Sequence, residues 1–313
     1  MEWRGVFPAA PTQFRADGAL DLPATQRVLD ALVREGVHGI IVLGTVGENY
    51  ALEPDEKLAL LAAAREAVAG RVPILSGVAE AATAAAQRYA RAAESAGVDG
   101  LMVLPSIAYG SQPVETLTHY RAIAAASALP IMLYNNPIGY RVDVTVAMCA
   151  ALTDVATIVA IKESTTATHR IVDLTNAGLH KRYALFCGVD DIVLESLLLG
   201  AVGWVSGLAN AFPRECLALY DLARAGRVPE ALTLYRWFMP LLHLDTLPTL
   251  VQCIKLAAQL TGYGSEAVRL PRLVLAGPER AHVIGLVEAA IATRPDLATL
   301  GLRNAAQARA PIP

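Results

Sequence analysis

The chain has 313 residues, 54% hydrophobic and 18% charged, with a formal net charge of −3. So apolar a chain is not disordered, and its scattered Lys and Arg residues give no basic face for nucleic acid. The most apolar stretch, Leu197 to Phe212, is interrupted by Gly200, Gly203, Ser206, Gly207 and Asn210; a membrane span needs roughly 20 apolar residues, so none is expected.

In chain order, short apolar runs alternate with Ala- and Leu-rich amphipathic stretches. The runs are Gly5–Thr12, Gly39–Gly44, Pro73–Val78, Gly100–Pro105, Pro130–Asn135, Ile158–Glu163, Tyr183–Val189 and Gly203–Gly207. Each has the length of a strand, and several are rich in Val and Ile without polar alternation, as in parallel strands buried on both faces. Between them Leu22–Glu35, Pro54–Ala69, Ala81–Ala96 and Val114–Ser127 read as helices, with Gly36, Gly70 and Gly97 placed as C-caps. Eight β-then-α units predict an α/β fold, a (β/α)8 TIM barrel. A doubly wound sheet is the rival, but no G-x-G-x-x-G follows the first run. From Val228 onward only helical periodicity remains, over Val228–Leu242, Leu247–Leu260 and Pro278–Ala292, with breaks at Pro248, Gly262–Gly264 and Pro271. The expected organisation is a catalytic barrel over 1–226, a C-terminal helical domain over 227–294, and a partly disordered tail over 295–313.

Cys149, Cys187, Cys216 and Cys253 lie far apart without a CxxC pair and read as reduced packing residues of a cytoplasmic protein. The opening stretch MEWRGVFPAAPTQF lacks the apolar core of a secretion signal. The six histidines show no metal-ligand spacing, and no P-loop, flavin or nicotinamide fingerprint is present, so neither a metal nor a cofactor is expected.

Barrels carry their chemistry at the C-terminal ends of the strands, which shortens the list of candidates. Lys162 follows Ile158-Val159-Ala160-Ile161 and is one of only four lysines. An ammonium inside a dry barrel is costly, so its pKa falls and a neutral amine becomes available for Schiff-base chemistry. A structural ion pair with Glu163 is the alternative, but adjacent strand residues face opposite ways. Lys57 and Lys181 read as solvated, and Lys255, on an apolar helix, as snorkelling at a surface. Tyr134 closes the fifth strand beside Lys162, where a phenol either shuttles protons or packs the barrel mouth; Thr45 offers a relay hydroxyl. The turn Gly44-Thr45-Val46-Gly47-Glu48 offers closely spaced N–H groups suited to a carboxylate. Asp190 and Asp191 read as caps of the seventh helix, and His243 and Asp245 as a polar pair of the helical domain.

Together the G-T-x-G-E turn at Gly44–Glu48, the Y-N-x-P box at Tyr134–Pro137, the I-K-E-S strand at Ile161–Ser164 and the Gly-x-Asp-Asp turn at Gly188–Asp191 resemble the dihydrodipicolinate synthase / N-acetylneuraminate lyase family of class I Schiff-base enzymes. The resemblance runs from about Gly5 to Leu275. It implies a homotetramer (a dimer of dimers) that joins a 2-oxo acid, typically pyruvate, to its lysine. Lys162 would form the imine, Tyr134 handle protons, Thr45 relay them, and Thr45, Val46 and Gly47 hold the carboxylate. Gly188 and Val205 would line the pocket. Departures are plain: Gly139 stands where dihydrodipicolinate-forming members carry an arginine, leaving Arg141 as the nearest one, and Tyr109 alone stands for their Tyr-Tyr pair. Val46 replaces a second threonine. Lysine biosynthesis is therefore not the expected role. The leading expectation is a lyase that cleaves or forms a C–C bond next to a 2-oxo acid. The second is dehydration or deamination of a 2-oxo-acid-derived compound, such as a hydroxylated pyrroline carboxylate, and the third a catalytically silent ligand-binding barrel.

Overall fold

The computed structural model describes residues 3–106 and 108–300. Eight strands form one parallel sheet: β1 (Gly5–Pro8), β2 (Ile40–Val42), β3 (Ile74–Val78), β4 (Gly100–Val103), β5 (Ile131–Asn135), β6 (Ile158–Glu163), β7 (Ala184–Cys187) and β8 (Gly203–Ser206). From β2 to β8 each pairs with its neighbour in sequence, and β1 pairs with β8. A parallel bridge between Ala9 and Ile41 brings β1 against β2 and closes the barrel. The fold is the expected TIM barrel. Nearly every strand residue is buried, because helices cover the outer face while side chains fill the inside. Phe7 and Phe186 meet edge to face inside it, with centroids 5.4 Å apart. Their rings need Gly39 and Gly203 opposite, where a Cβ would come within 2.2 Å of each ring.

The outer helices include α1 (Leu22–Glu35), α2 (Pro54–Val68), α3 (Thr83–Ser95) and α4 (Pro113–Ala124). Their starts follow local chemistry. Asp21 caps α1 by accepting from the Ala24 N–H at 2.9 Å, and reciprocal capping boxes open α2 with Glu53 and Glu56 and α4 with Gln112 and Glu115. A single-turn helix, α5 (Pro137–Tyr140), and α6 (Val146–Ala151) lie between β5 and β6; α7 (His169–Asn176), α8 (Val193–Leu198) and α9 (Pro213–Arg224) complete the ring.

Beyond the barrel come α10 (Val228–Leu242), a 3₁₀ turn at His243–Thr246, α11 (Leu250–Leu260) and α12 (Gly277–Ala292). Residues 247–249 do not join α11, since Leu247 is extended ahead of Pro248. Residues 261–276 are non-helical and strap the helices to the barrel: Arg269 grips Glu56 with both guanidinium arms and donates to the Ala51 and Gly18 carbonyls. The expected tail falls mostly outside the described residues, which end in a 3₁₀ turn at Leu297–Leu300. Among them no helix is long and apolar enough to cross a membrane, and all four cysteines are buried and free.

Candidate active site

At the C-terminal mouth of the barrel lies a cavity of about 450 Å³ lined by Thr45, Val46, Tyr134, Lys162, Gly188, Val205 and Asp245, among others. Parallel pairing sets Tyr134 directly beside Lys162 across β5 and β6. The Lys162 Nζ rests 3.9 Å from the Tyr134 ring centroid. Burial drives its pKa down from 10.5 to about 8, although Asp245 and Asp190 pull it back up. Glu163 is not its partner. That side chain points to the other face of β6 and accepts from Asn135 Nδ2 and the Thr165 N–H.

Gly188 explains why the lysine fits. A Cβ there would lie 2.0 Å from Ser164 Oγ and 2.6 Å from Lys162 Cε, so no other residue leaves the amine its path into the cavity. Burial pushes the Tyr134 phenol up, while Asn136, Ser164 and Thr45 hold it down. Asn136 makes the position definite: its Nδ2 donates to the Tyr134 hydroxyl at 3.0 Å, and its Oδ1 caps α5 at the Gly139 N–H.

Thr45 Oγ1 lies 2.5 Å from the Tyr140 hydroxyl, and Tyr140 packs edge to face on Tyr134 with centroids 5.7 Å apart. Tyr140 is a residue that the motifs missed. It stands three places after Pro137, and only the turn of α5 brings it back over the mouth. Thr45 and Val46 both line the cavity, and their backbone N–H groups find no acceptor among the described residues, which leaves them as donors for an anion. Gly47 departs from its expected place: it lies outside the cavity, where a Cβ would meet the Leu43 nitrogen at 2.8 Å. It closes the turn, and its carbonyl accepts from Thr12 Oγ1.

Two further candidates stand apart from the cavity of their own chain. Tyr109 is 55% exposed and lines a separate groove with Glu115 and His119. Arg141 is exposed in a left-handed conformation that ends α5, because the short helix turns the chain away before its side chain can enter.

Four other readings are corrected. Asp190 stands in the first turn of the helical segment after β7, but its side chain does not cap that segment. Asp190 is fully buried and accepts from Trp204 Nε1 at 2.8 Å, the Leu208 N–H at 2.7 Å and Ser206 Oγ at 3.3 Å. His243 pairs with Asp191 at 2.9 Å, whereas Asp245 turns the opposite way into the cavity. Lys57 is buried, donating to Asn49 Oδ1 and Glu80. Lys255 is buried as well, in an ion pair with Glu48 at 2.7 Å. Among the described residues, no cluster of three His, Cys, Asp or Glu side chains is arranged for a metal ion.

The arrangement offers a desolvated amine, a phenol against it, an anion-ready turn and one open carboxylate. Comparison with known proteins agrees in extent. Residues 2–290 match the Dihydrodipicolinate synthetase family. A 4-hydroxy-tetrahydrodipicolinate synthase of Moorella thermoacetica is 33% identical over 278 residues, spanning 87% of this chain and 92% of that one. A probable 2-dehydro-3-deoxy-D-pentonate aldolase of Escherichia coli K12 is 31% identical, spanning 90% and 96%. Among solved structures, a prophage protein of the dihydrodipicolinic acid synthase family from Escherichia coli K12, in complex with pyruvate, superposes with a TM-score of 0.87 at 29% identity, covering 92% of this chain and 98% of that one. The 4-hydroxy-tetrahydrodipicolinate synthase of Methylacidiphilum fumariolicum SolV gives 0.88 at 29%, covering 96% and 99%. The chain belongs to the dihydrodipicolinate synthetase family.

Proposed function

We propose that this protein is an aldolase-type lyase acting on a 2-oxo acid, with Lys162 as the imine-forming residue and no added cofactor. The observation that carries the reading is the buried Lys162 amine, held to a pKa of about 8 against the face of Tyr134. At pH 7 about one such amine in ten is neutral and nucleophilic. It attacks C2 of the oxo acid, whose carboxylate sits on the Thr45 and Val46 N–H groups. Tyr134 gives a proton to the carbinolamine oxygen, water leaves, and an iminium remains. In the cleavage direction a 4-hydroxyl loses its proton, the C3–C4 bond breaks, and its electron pair enters the iminium to form an enamine. Protonation at C3 and addition of water then release pyruvate and restore the lysine. Thr45 passes the proton between Tyr134 and the Tyr140 hydroxyl, with Gly188 and Val205 shaping the wall.

The test is reductive trapping. Borohydride added with pyruvate should leave one three-carbon adduct, located on Lys162 by peptide mass analysis; an adduct elsewhere, or none, removes the proposal. A second reading keeps the imine but ends in loss of ammonia or water from a derivative such as a hydroxylated pyrroline carboxylate. The acid Asp245 in the same cavity favours it, because it can meet a cationic nitrogen. Ammonia released per pyruvate released separates the two. Assembly as a homotetramer, a dimer of dimers, is part of the proposal, and sedimentation measures it.

A further inference from the structure

Asp245 lies outside the four boxes that carry the family resemblance and reads from the sequence only as a partner for His243, yet it is the only carboxylate lining the cavity among the described residues. The 3₁₀ turn after α10 carries it there, beside Thr246, Leu247 and Pro248. Its seat is built for it: a Cβ on Gly207 would come within 2.4 Å of its Oδ1. Its Oδ2 accepts the Asp190 N–H, at 3.4 Å. No side chain donates to it among the described residues, so it keeps acceptor capacity toward the cavity. Asp190, one layer behind, is the opposite case, with three donors on its carboxylate.

The remaining lining sharpens the contrast. The anion-ready N–H groups are at the β2 turn, Lys162 stands on β6, and Asp245 approaches the ends of β7 and β8. Lys162 and Asp245 feel each other's charge without an ion pair between them, which leaves room for a substrate. Among the described residues the lining contains no arginine or histidine, and Arg141 stays outside.

We propose that Asp245 is the specificity-determining residue for the far end of the substrate, taking a hydroxyl or a protonated nitrogen there and rejecting a second carboxylate. The inference rests on the Schiff-base reading above, which fixes the near end at Lys162. A carboxylate that keeps open lone pairs rewards a donor. A second anion meets like charge with no guanidinium to neutralise it. The charged and titratable groups around Asp245 are Lys162 on β6, Tyr134 on β5, Cys187, Asp190 and Asp191 at the end of β7, and His243 on its own turn.

The test uses the full chain and three probes: 2-dehydro-3-deoxy-D-pentonate, with distal hydroxyls; a 4-hydroxylated pyrroline-2-carboxylate, with a protonatable nitrogen; and 4-hydroxy-2-oxoglutarate, with a distal carboxylate. Each competes against pyruvate for borohydride trapping of Lys162, which ranks affinity without requiring turnover. The wild type should favour at least one of the first two over the third by roughly 10²-fold, and whichever leads identifies hydroxyl or nitrogen as the recognised donor. Asp245→Asn, close to isosteric, should narrow that preference to a few-fold while still giving the pyruvate adduct, which also shows that it folds. An unchanged preference in Asp245→Asn overturns the inference. So does a wild type that treats the three alike or favours the distal carboxylate. Absence of any pyruvate adduct in the wild type instead overturns the Schiff-base reading.

Discussion

Two lysines of this chain are buried on either side of the same turn, and they have opposite surroundings. Lys255 on α11 is 0% exposed and donates to Glu48 Oε1 at 2.7 Å and to the Thr12 carbonyl at 2.8 Å. Glu48 also accepts the Arg269 N–H. Lys162 on β6 has an aromatic face and a cavity instead of an acid. Burial lowers the pKa of both, but only for Lys255 does a contacting carboxylate push back through a hydrogen bond. A desolvated lysine is thus not by itself a catalytic one. What separates them is whether the ammonium's donors are already engaged, and Lys255 uses its own to pin the Gly44–Glu48 turn from behind.

The comparison breaks most visibly at Lys162. Lys162→Ala should abolish turnover and adduct formation while leaving thermal stability unchanged or raised, because a costly buried charge is removed. Turnover retained in Lys162→Ala would end the comparison. Tyr134→Phe, measured by the same trapping assay, should slow turnover by about 10²–10⁴-fold with the adduct slow but detectable, since the amine keeps its place above the ring.

Lys255→Met should reverse the pattern. It leaves Glu48 buried without its main partner, a loss of about 3–5 kcal/mol for a broken buried pair. Arg272 at 3.9 Å and the Arg269 N–H place the expectation at the lower end. Urea unfolding measures it, and Lys255→Met/Glu48→Gln should recover part of the loss. A stability change under about 1 kcal/mol, the range of an exposed pair, would mean that this ion pair is not what secures the turn.

These two lysines also mark what was legible in the sequence. Lys162 was, because a strand places its residues alternately and an apolar run ending in lysine has few other meanings. The barrel was legible for the same reason, since strands buried on both faces read as uninterrupted Val and Ile. The predicted strands ran past their ends, as in Gly5–Thr12 against the observed Gly5–Pro8, because the apolar sequence continues where the ladder stops. Lys255 was misread as a surface residue since its partner lies 207 positions away, and helical periodicity carries no trace of it. Asp245 was misread as the partner of His243, and Tyr140 was missed, on similar grounds. The first reaches the site from a domain that repeats no barrel pattern, and the second depends on a single turn of helix after Pro137.

The smallest effect tests how the charges around Lys162 are balanced. Desolvation lowers its pKa to about 8, and Asp245 is the first of the neighbours that raise it. Imine formation needs the neutral amine, so the rate of trapping with pyruvate and cyanoborohydride should rise with pH and level off through a midpoint near 8. Asp245→Asn removes a negative charge that favours the ammonium, so the midpoint should move down and the plateau should begin at lower pH. Asp245 itself titrates at about 6, raised by burial and held back by Lys162. A wild-type profile should therefore carry a second, weaker inflection there, which Asp245→Asn abolishes. A midpoint that stays in place or moves upward would show that the lysine does not sense this carboxylate, and the contrast with Lys255 would then rest on burial alone.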